Sequence, residues 1–403
     1  MWRPAVVAAS FCVLLPVSAI GDVTIHCLDV GQGDATLIES SSGLTLLFDG
    51  GDNGRGTGVI NPYLASLGIT ELTYMAASHH HADHVGGLDE VYQGTGVAIA
   101  CYDRGWSYTT QTYQDYANAV ASKRQTIADG QVIDLGDGVT VNCVALNGNG
   151  QVSQPFEQPP HNENDLCVVL VVSCGEFDFF VAGDLSGQNT GSYRDIETSV
   201  AAEMDEVEVY HVDHHGSAYN SNFALVTALS PEVSVISVGN NSYGHPAQQT
   251  LDRLVAAGSY IYQTESGSGG TIPPGAGRVV NGHVIIETDG YSSYTVDGDS
   301  YPLGSAGIAY EGGPRGLLSL SVRPNPISSS TVLSARSALP SQTCLLSIYD
   351  VYGRRVRSWE VAGGGDVLWD GTDQGGSCVA SGVYFCRIVT SGGSITQKVL
   401  VAR

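Results

Sequence analysis

A chain of 403 residues exceeds one ordinary domain of roughly 100 to 200 residues and predicts two. With 42% hydrophobic and only 14% charged residues it can bury a substantial core, and its 51 glycines suit many tight turns rather than disorder. Seventeen basic against forty-one acidic residues, a net charge of −24, argue against avid binding of long nucleic acid unless bound metal makes the phosphate contacts.

The N-terminus carries Arg3, an apolar run from Ala5 to Val17, and then the small residues Ser18, Ala19 and Gly21. This is the pattern of a cleaved signal peptide over residues 1–21. The run is too short for a membrane span, so the mature chain is expected to be exported, periplasmic, surface-held or secreted, without an integral membrane domain. Eight cysteines remain after cleavage, at 27, 101, 143, 167, 174, 344, 378 and 386, and none forms a Cys-x-x-Cys pair. Disulfides are open to them outside the cytoplasm, while Cys167 and Cys174, which bracket an apolar run, read equally well as buried strand thiols.

Val23 to Leu28 reads as the first strand. Short apolar runs at Leu44 to Phe48, Cys167 to Val172, Phe177 to Ala182, Val207 to Val212 and Val233 to Val238 alternate with Gly, Asn and Asp clusters and predict further strands. Tyr113 to Ser122 and Gln248 to Ala257 have helical spacing. The expected class is therefore α+β, with a first domain over 22–289. A stretch rich in Gly, Ser, Tyr and Asp over 290–316 suits a linker. From Leu317 to Arg403 the pattern is wholly strand-like, with Leu345 to Tyr349, Val383 to Ile388 and Gln397 to Val401 separated by turn residues, as in a small β-sandwich.

The chemistry concentrates after the apolar stretch Leu72 to Ala77, where Ser78-His79-His80-His81-Ala82-Asp83-His84 holds the spacing His-x-His-x-Asp-His. A loop at a strand end can aim alternate side chains the same way, so His79 and His81 are expected at one metal and Asp83 and His84 at a second. His80 is expected to face away. Imidazole and carboxylate suit two divalent ions, zinc first, with manganese or iron compatible. Of the eleven histidines, eight (79, 80, 81, 84, 161, 214, 215 and 245) lie in or beside such motifs, which argues against a chance histidine-rich loop. His26, His211 and His283 read as strand positions. Asp184 ends the apolar run Phe179 to Ala182 next to Gly183, a placement for a bridging carboxylate, and a histidine of the pair His214-His215 completes the second metal.

These motifs resemble those of the metallo-β-lactamase superfamily. Leu28 to Ala35, Phe48-Asp49-Gly50-Gly51, Asn162-Glu163-Asn164-Asp165, His214-His215-Gly216-Ser217 and Ser237 to Pro246 further resemble the hydrolase domain of the ComEC competence family over most of residues 23–270. The resemblance implies an αβ/βα sandwich with metals at one edge. It does not carry DNA transport, because the membrane spans of those channels are missing from this chain. Family members often supply a third ligand of the first metal from a histidine before the bridging aspartate. His161 is the histidine in that interval, with Asn164 or water as alternatives. Asp29, Asp34 and Asp49 match family positions near the site, where they either orient ligand histidines or close glycine turns. Asp83 and Asp184 are expected in catalysis, with Tyr243 and His245 lining the substrate side to stabilise an oxyanion or protonate a leaving group.

The implied activity is metal-dependent hydrolysis, first of a phosphodiester, with lactone, lactam or thioester substrates as alternatives on the same fold. A surface binding protein with a vestigial hydrolase fold would be expected to lose His79, Asp83 or Asp184, and all three are present. The tail carries Arg323-Pro324-Asn325-Pro326, Leu345 to Arg354, Trp369-Asp370-Gly371 and Ser381 to Tyr384. It resembles the immunoglobulin-like domain of hook-capping proteins and the C-terminal sorting domain of type IX secretion, which implies contact with secretion machinery or attachment at the cell surface.

Overall fold

The computed structural model describes residues 22–152, 162–303 and most of 318–401, excepting 324–326, 328, 338–342, 352, 363 and 391–392. The expected signal peptide, His161 and the stretch 304–316 lie outside the described residues.

Two large sheets arise from the segments of apolar alternation. The chain lays down β1 (Val23–Cys27), β2 (Thr36–Ser40), β3 (Thr45–Phe48), β4 (Leu72–Ala76), β5 (Val97–Asp103) and β6 (Arg124–Thr126) in the first. The second opens with β7 (Val132–Asp134), β8 (Val139–Ala145), β9 (Val169–Cys174) and β10 (Phe177–Val181). A small hairpin of β11 (Gly187–Thr190) and β12 (Tyr193–Asp195) precedes β13 (Val209–His211), β14 (Val233–Ile236), β15 (Tyr260–Gln263) and β16 (Gly277–Val279). The chain then returns to the first sheet with β17 (Val284–Thr288), β18 (Ser293–Val296) and β19 (Asp299–Pro302). Spatial orders are β19-β18-β17-β1-β2-β3-β4-β5-β6 and β16-β15-β14-β13-β10-β9-β8-β7. The runs β3 to β6 and β10-β13-β14-β15-β16 are parallel, so the loops leaving β3 and β4, and those leaving β10, β13 and β14, each emerge on one edge of their sheet.

The two-residue period of a strand sorts its side chains into two cores. Ile38, Leu46, Phe48, Phe179, Val233 and Val235 point between the sheets into one apolar cluster with Leu170 and Val172. Their neighbours Leu37 and Leu47 point outward against Leu64, Leu88, Val91 and Tyr116 of α1 (Asn61–Ser66), α3 (Leu88–Gly94) and α4 (Gln111–Ala119), with the short α2 (Ala82–Val85) between α1 and α3 in the chain. Phe180 and Ile236 do the same on the other sheet against α5 (Glu197–Ala201), α6 (Phe223–Leu229) and α7 (Gln248–Ala257). The result is helix, sheet, sheet, helix, the αβ/βα sandwich. Helix α7 matches its expected bounds, buries Leu251 and Leu254 one turn apart, and stops at Gly258 with φ +93°. Helix α4 starts two residues earlier than the periodicity suggests, because Thr110 caps it by accepting from the Tyr113 amide at 3.3 Å.

Residues expected as linker from Gly290 onward instead form two further strands that end at Pro302. β18 pairs with β17 and β19 with β18, burying Tyr294, Val296, Tyr301 and Leu303 in the inter-sheet core. The Gly, Ser and Asp of this stretch are hairpin turns, and its aromatics are core residues that composition alone masks. The C-terminal region forms β20 (Leu318–Arg323), β21 (Thr331–Ser337), β22 (Thr343–Asp350), β23 (Arg355–Ala362), β24 (Gly364–Trp369), β25 (Gly382–Thr390) and β26 (Gly393–Val401). Sheets β20-β21-β24 and β23-β22-β25-β26 enclose Val322, Leu333, Leu346, Ile348, Ile388 and Val399 around a buried Trp369, whose indole donates to the Thr372 carbonyl at 2.9 Å. No disulfide joins the eight described cysteines to one another, and seven of them are buried. Among the described residues no helix is long and apolar enough to cross a membrane.

Two expectations follow from this packing. Phe179→Ala opens a cavity between the sheets and is expected to cost about 3–5 kcal/mol, read from the urea midpoint. At the far end of β13 from the loops that leave it, Glu208 accepts from the Asp178 amide at 2.8 Å, and burial with Asp178 and Glu232 nearby pushes its carboxyl up to about 7. A carboxyl raised in the folded state contributes stability below its unfolded value and loses it as pH climbs through the folded one. Glu208→Gln, which keeps the acceptor, is therefore expected to be more stable than the parent at pH 8, with the gain vanishing by pH 4. Thermal midpoints at the two pH values measure it.

Candidate metal centre

The loop after β4 folds back so that His79, His81 and His84 face one another. The His79 Nε2 atom is 3.0 Å from His81 Nδ1, and the rings of His79 and His84 are 4.3 Å apart. Asp83 and His84 sit in α2, which brings Asp83 toward the loop after β13. Three imidazoles and a carboxylate this close, at the end of a buried strand, gain nothing from one another as neutral packing.

Asp184 enters from β10. Gly183 at φ +59° makes the turn, and a Cβ there would collide with the Ser78 side chain, so the residue before Asp184 must be glycine. The loop after β13 supplies His214 and His215, both left-handed at φ 54° and 53°, a conformation costing about 1–2 kcal/mol for each non-glycine residue. That kink splays the two rings across Asp184. His214 Nε2 stands 3.3 Å from Asp184 Oδ2, the oxygen that His79 Nε2 approaches at 3.9 Å. His215 Nε2 stands 3.5 Å from Asp184 Oδ1 and 3.4 Å from Asp83 Oδ2, while His84 Nε2 is 3.1 Å from the same Asp184 Oδ1. Two donor groups result, His79-His81-Asp184 and Asp83-His84-His215, each with ligand atoms close enough to share one ion. His84 Nε2, His215 Nε2 and Asp184 Oδ1 are all buried without a hydrogen-bond partner, which is what atoms directed at a cation look like.

A ring of carboxylates and hydroxyls fixes the imidazoles. Asp49 Oδ2 lies 2.8 Å from His84 Nδ1 and accepts from Ser78 Oγ at 2.7 Å, while Ser78 Oγ reaches His79 Nδ1 at 3.0 Å. His215 Nδ1 meets the Ser237 carbonyl at 3.0 Å and Asp34 Oδ1 at 3.3 Å, and His214 Nδ1 meets Asn220 Oδ1 at 2.9 Å. With Nδ1 so engaged, Nε2 of His84, His214 and His215 is left toward Asp184. Asp34 and Asp49 thus hold rings, whereas Asp29 accepts from the Gly31 amide at 3.1 Å and closes a turn.

Electrostatics follow the same arrangement. Burial alone would raise the Asp184 carboxyl, but His214, His84 and His215 hold it well below the ordinary carboxylate range. Burial would lower His84 and His215, and Asp184 with Asp49 or Asp34 lifts both well above the ordinary imidazole value. His79 is driven well below it by burial and by its histidine neighbours. His80 is buried away from the cluster, 4.4 Å from the Tyr113 ring, and burial beside Arg104 depresses it to about 2.

The structure brings together every described residue of the expected set. His245 lies with its ring 5.2 Å from that of His214 and is lowered by burial to about 4, and Tyr243 stands over it at 5.7 Å, 73% exposed. His161 falls outside the described residues, and Asn164 lies in the interval, donating to Asp184 Oδ2 at 3.2 Å. Sequence reading missed Ser78, Asn220 and above all Arg104. Arg104 is buried and grips Glu163 with three bonds of 2.6–2.8 Å, and Glu163 in turn accepts from the His80 amide at 3.0 Å. This clamp ties the histidine loop to the segment bearing Asn164. The Asn162-Glu163-Asn164-Asp165 motif carried half of that signal; a lone arginine after β5 carried none.

Residues 28–240 match the family model of the Metallo-beta-lactamase superfamily, and the chain belongs to that superfamily, whose members are generally hydrolases. Residues 321–402 match the Secretion system C-terminal sorting domain, which points to export or the cell surface. The chain is 24% identical over 258 residues to ComE operon protein 3 of Bacillus subtilis, covering 60% of this chain and 32% of that protein. It is 27% identical over 259 residues to Competence protein ComA of Neisseria gonorrhoeae, covering 64% and 33%. It spans about a third of the length of these curated relatives. Among solved structures, a diphosphatase of the PhnP family aligns over 66% of this chain and 97% of that one, with a TM-score of 0.39 and 11% identity.

The clamp predicts that Arg104→Met, which strands the Glu163 carboxylate, costs about 3–5 kcal/mol in chemical denaturation. The double change Arg104→Met with Glu163→Gln is expected to recover much of it, because no unpaired charge then remains.

Proposed function

We propose that this chain is an exported two-metal hydrolase acting on phosphodiesters, and the observation that carries the proposal is Asp184, one carboxylate whose two oxygens face two separate histidine groups. His79, His81 and His214 would hold the first divalent ion with Asp184 Oδ2, and Asp83, His84 and His215 the second with Asp184 Oδ1. In this reading the adjacent histidines are not alternatives. His214 takes the third position at the first ion, with Asn164 beside it, and His215 completes the second. Zinc suits this set of imidazoles and carboxylates best.

Such a pair of ions, when bound, would supply an acidified water and a Lewis acid for the phosphoryl oxygen. The chain's own residues do the rest. Asp184, buried and held ionised, accepts a hydrogen bond from the attacking water and orients it. Asp49 and Asp34 keep the rings of His84 and His215 in the tautomer that leaves Nε2 toward the centre. His245, neutral at pH 7, and Tyr243 stand on the open side and donate to charge developing on the phosphoryl or leaving-group oxygen. The phosphodiester assignment is supported by the likeness to competence proteins over this domain. The sorting domain would carry the enzyme through secretion machinery to the cell surface.

Purified chain supplied with zinc or manganese is expected to bind about two ions and to hydrolyse bis(p-nitrophenyl) phosphate. Asp184→Ala is expected to lose at least one ion and the turnover while keeping its circular dichroism. Two ions with turnover only of lactone, lactam or thioester esters would reassign the substrate, and a folded chain that binds no metal would end the enzyme reading.

A further inference from the structure

The mouth of the metal centre is lined by aromatic rings that no core requires. Tyr193 of β12 lies 6.5 Å from the His214 ring, and Tyr219 stacks on Tyr193 at 5.8 Å and 12° while remaining 47% exposed. Across His214 and His245 stands Tyr243, the most exposed large apolar side chain among the described residues at 73%. Both shelves are fastened. The Asn241 side chain accepts from the amides of Tyr243 and His245 and donates to the carbonyls of Gly239 and His245, at 2.8–3.1 Å. The Tyr219 carbonyl accepts from the Gly187 amide at 3.2 Å, and the Ala218 carbonyl beside it accepts from Gln188 at 3.0 Å. Rings this exposed on loops this well tied are set out before a ligand arrives, so little ordering cost remains on binding.

Most cations that would track a polyphosphate are meanwhile engaged elsewhere. Of the seven basic residues between 22 and 303, Arg104, Arg124 and Arg278 pair with Glu163, Asp103 and Asp297, and Lys123 and Arg253 donate to main-chain carbonyls. With a net charge of −24, affinity cannot come from neutralising a long run of phosphates. Flat faces are what the mouth offers, and any base has a π-face to lay on them.

We propose that Tyr193, Tyr219 and Tyr243 form a ring-stacking subsite that makes the substrate a short nucleotidyl phosphodiester, with a planar base on a tyrosine shelf and the scissile phosphate at Asp184. This rests on the phosphodiesterase reading for its chemistry and on the tyrosines for its specificity. Esters of a sugar or simple alcohol lack the flat face and are poor substrates.

The test compares two esters with one leaving group, thymidine 5′-(p-nitrophenyl phosphate) and methyl p-nitrophenyl phosphate, on the metal-loaded full chain. The thymidyl ester is expected to be preferred in kcat/KM by about tenfold or more. In Tyr193→Leu and Tyr219→Leu that ratio is expected to fall toward one, chiefly through the KM of the thymidyl ester, while Tyr243→Leu, which also removes a donor to the reacting phosphate, is expected to slow both esters and to lower the ratio as well. Calorimetric titration of the metal-free chain with thymidine 5′-monophosphate supplies a second readout, with affinity expected to drop about tenfold in Tyr219→Leu. Equal turnover of both esters by the parent, or unchanged discrimination and affinity in the variants, overturns the subsite and leaves the phosphodiesterase reading in place. Tyrosine-dependent binding without hydrolysis of either ester does the reverse.

Discussion

A carboxylate buried as deeply as Asp184 keeps its charge only if positive or strongly donating groups surround it, and that requirement organises this molecule. No single strand can surround it. The neighbours arrive from the loops after β4 and β13, on different sheets, and Asn164 arrives from the turn before β9. The two sheets must therefore pack in one register, and the inter-sheet core of Ile38, Phe48, Leu170 and Phe179 is what holds that register. Strain accepted at His214 and His215, both left-handed, marks the same requirement, because only that kink lets adjacent residues face opposite oxygens of one carboxylate.

Behind the imidazoles lies a layer of polar groups whose work is orientation. Asp49 and Ser78 join the ends of β3 and β4 and hold His79 and His84 together. Asp34 and the Ser237 carbonyl do this for His215. Arg104 and Glu163 extend the layer to the rim, where the His80 amide is held by the carboxylate next to Asn164. Buried charges in such a network are costly when broken and add little net stability when whole, so their value here is geometric. The same separation of roles appears at the mouth, where hydrogen-bonded loops hold tyrosines out to solvent.

The hydrolase-type sandwich and the seven-stranded tail divide the remaining tasks. The first presents its cluster of donor groups at parallel strand ends, the usual place for a site in such sheets. The second buries its own core around Trp369 and matches a sorting domain, which points to export or the cell surface. In a chain of net charge −24, Arg104 and Arg124 are committed to internal carboxylate pairs.

Much of this was legible in the sequence because it is local. Spacing within His79 to His84, a carboxylate at the end of the Phe179 to Ala182 run, and paired histidines before Gly216-Ser217 are properties of short segments, as are the strand alternation and the extent of α7. Residues 290–303 misled, because turn-forming Gly, Ser and Asp dominate their composition while Tyr294 and Tyr301 owe their burial to sheet neighbours distant in the chain. Which of Asp29, Asp34 and Asp49 holds a histidine of the metal cluster, and where His214 and His215 each point, depended on backbone dihedrals and on sheet packing. The clamp of Arg104 on Glu163 spans 59 residues, and the Tyr219 and Tyr243 shelves meet only across His214 and His245. The sequence by itself determined which chemical groups are available and which short segments carry them. Tertiary structure alone decided which groups meet, because distance between residues remote in the chain is set by the packing of two sheets and not by any local preference.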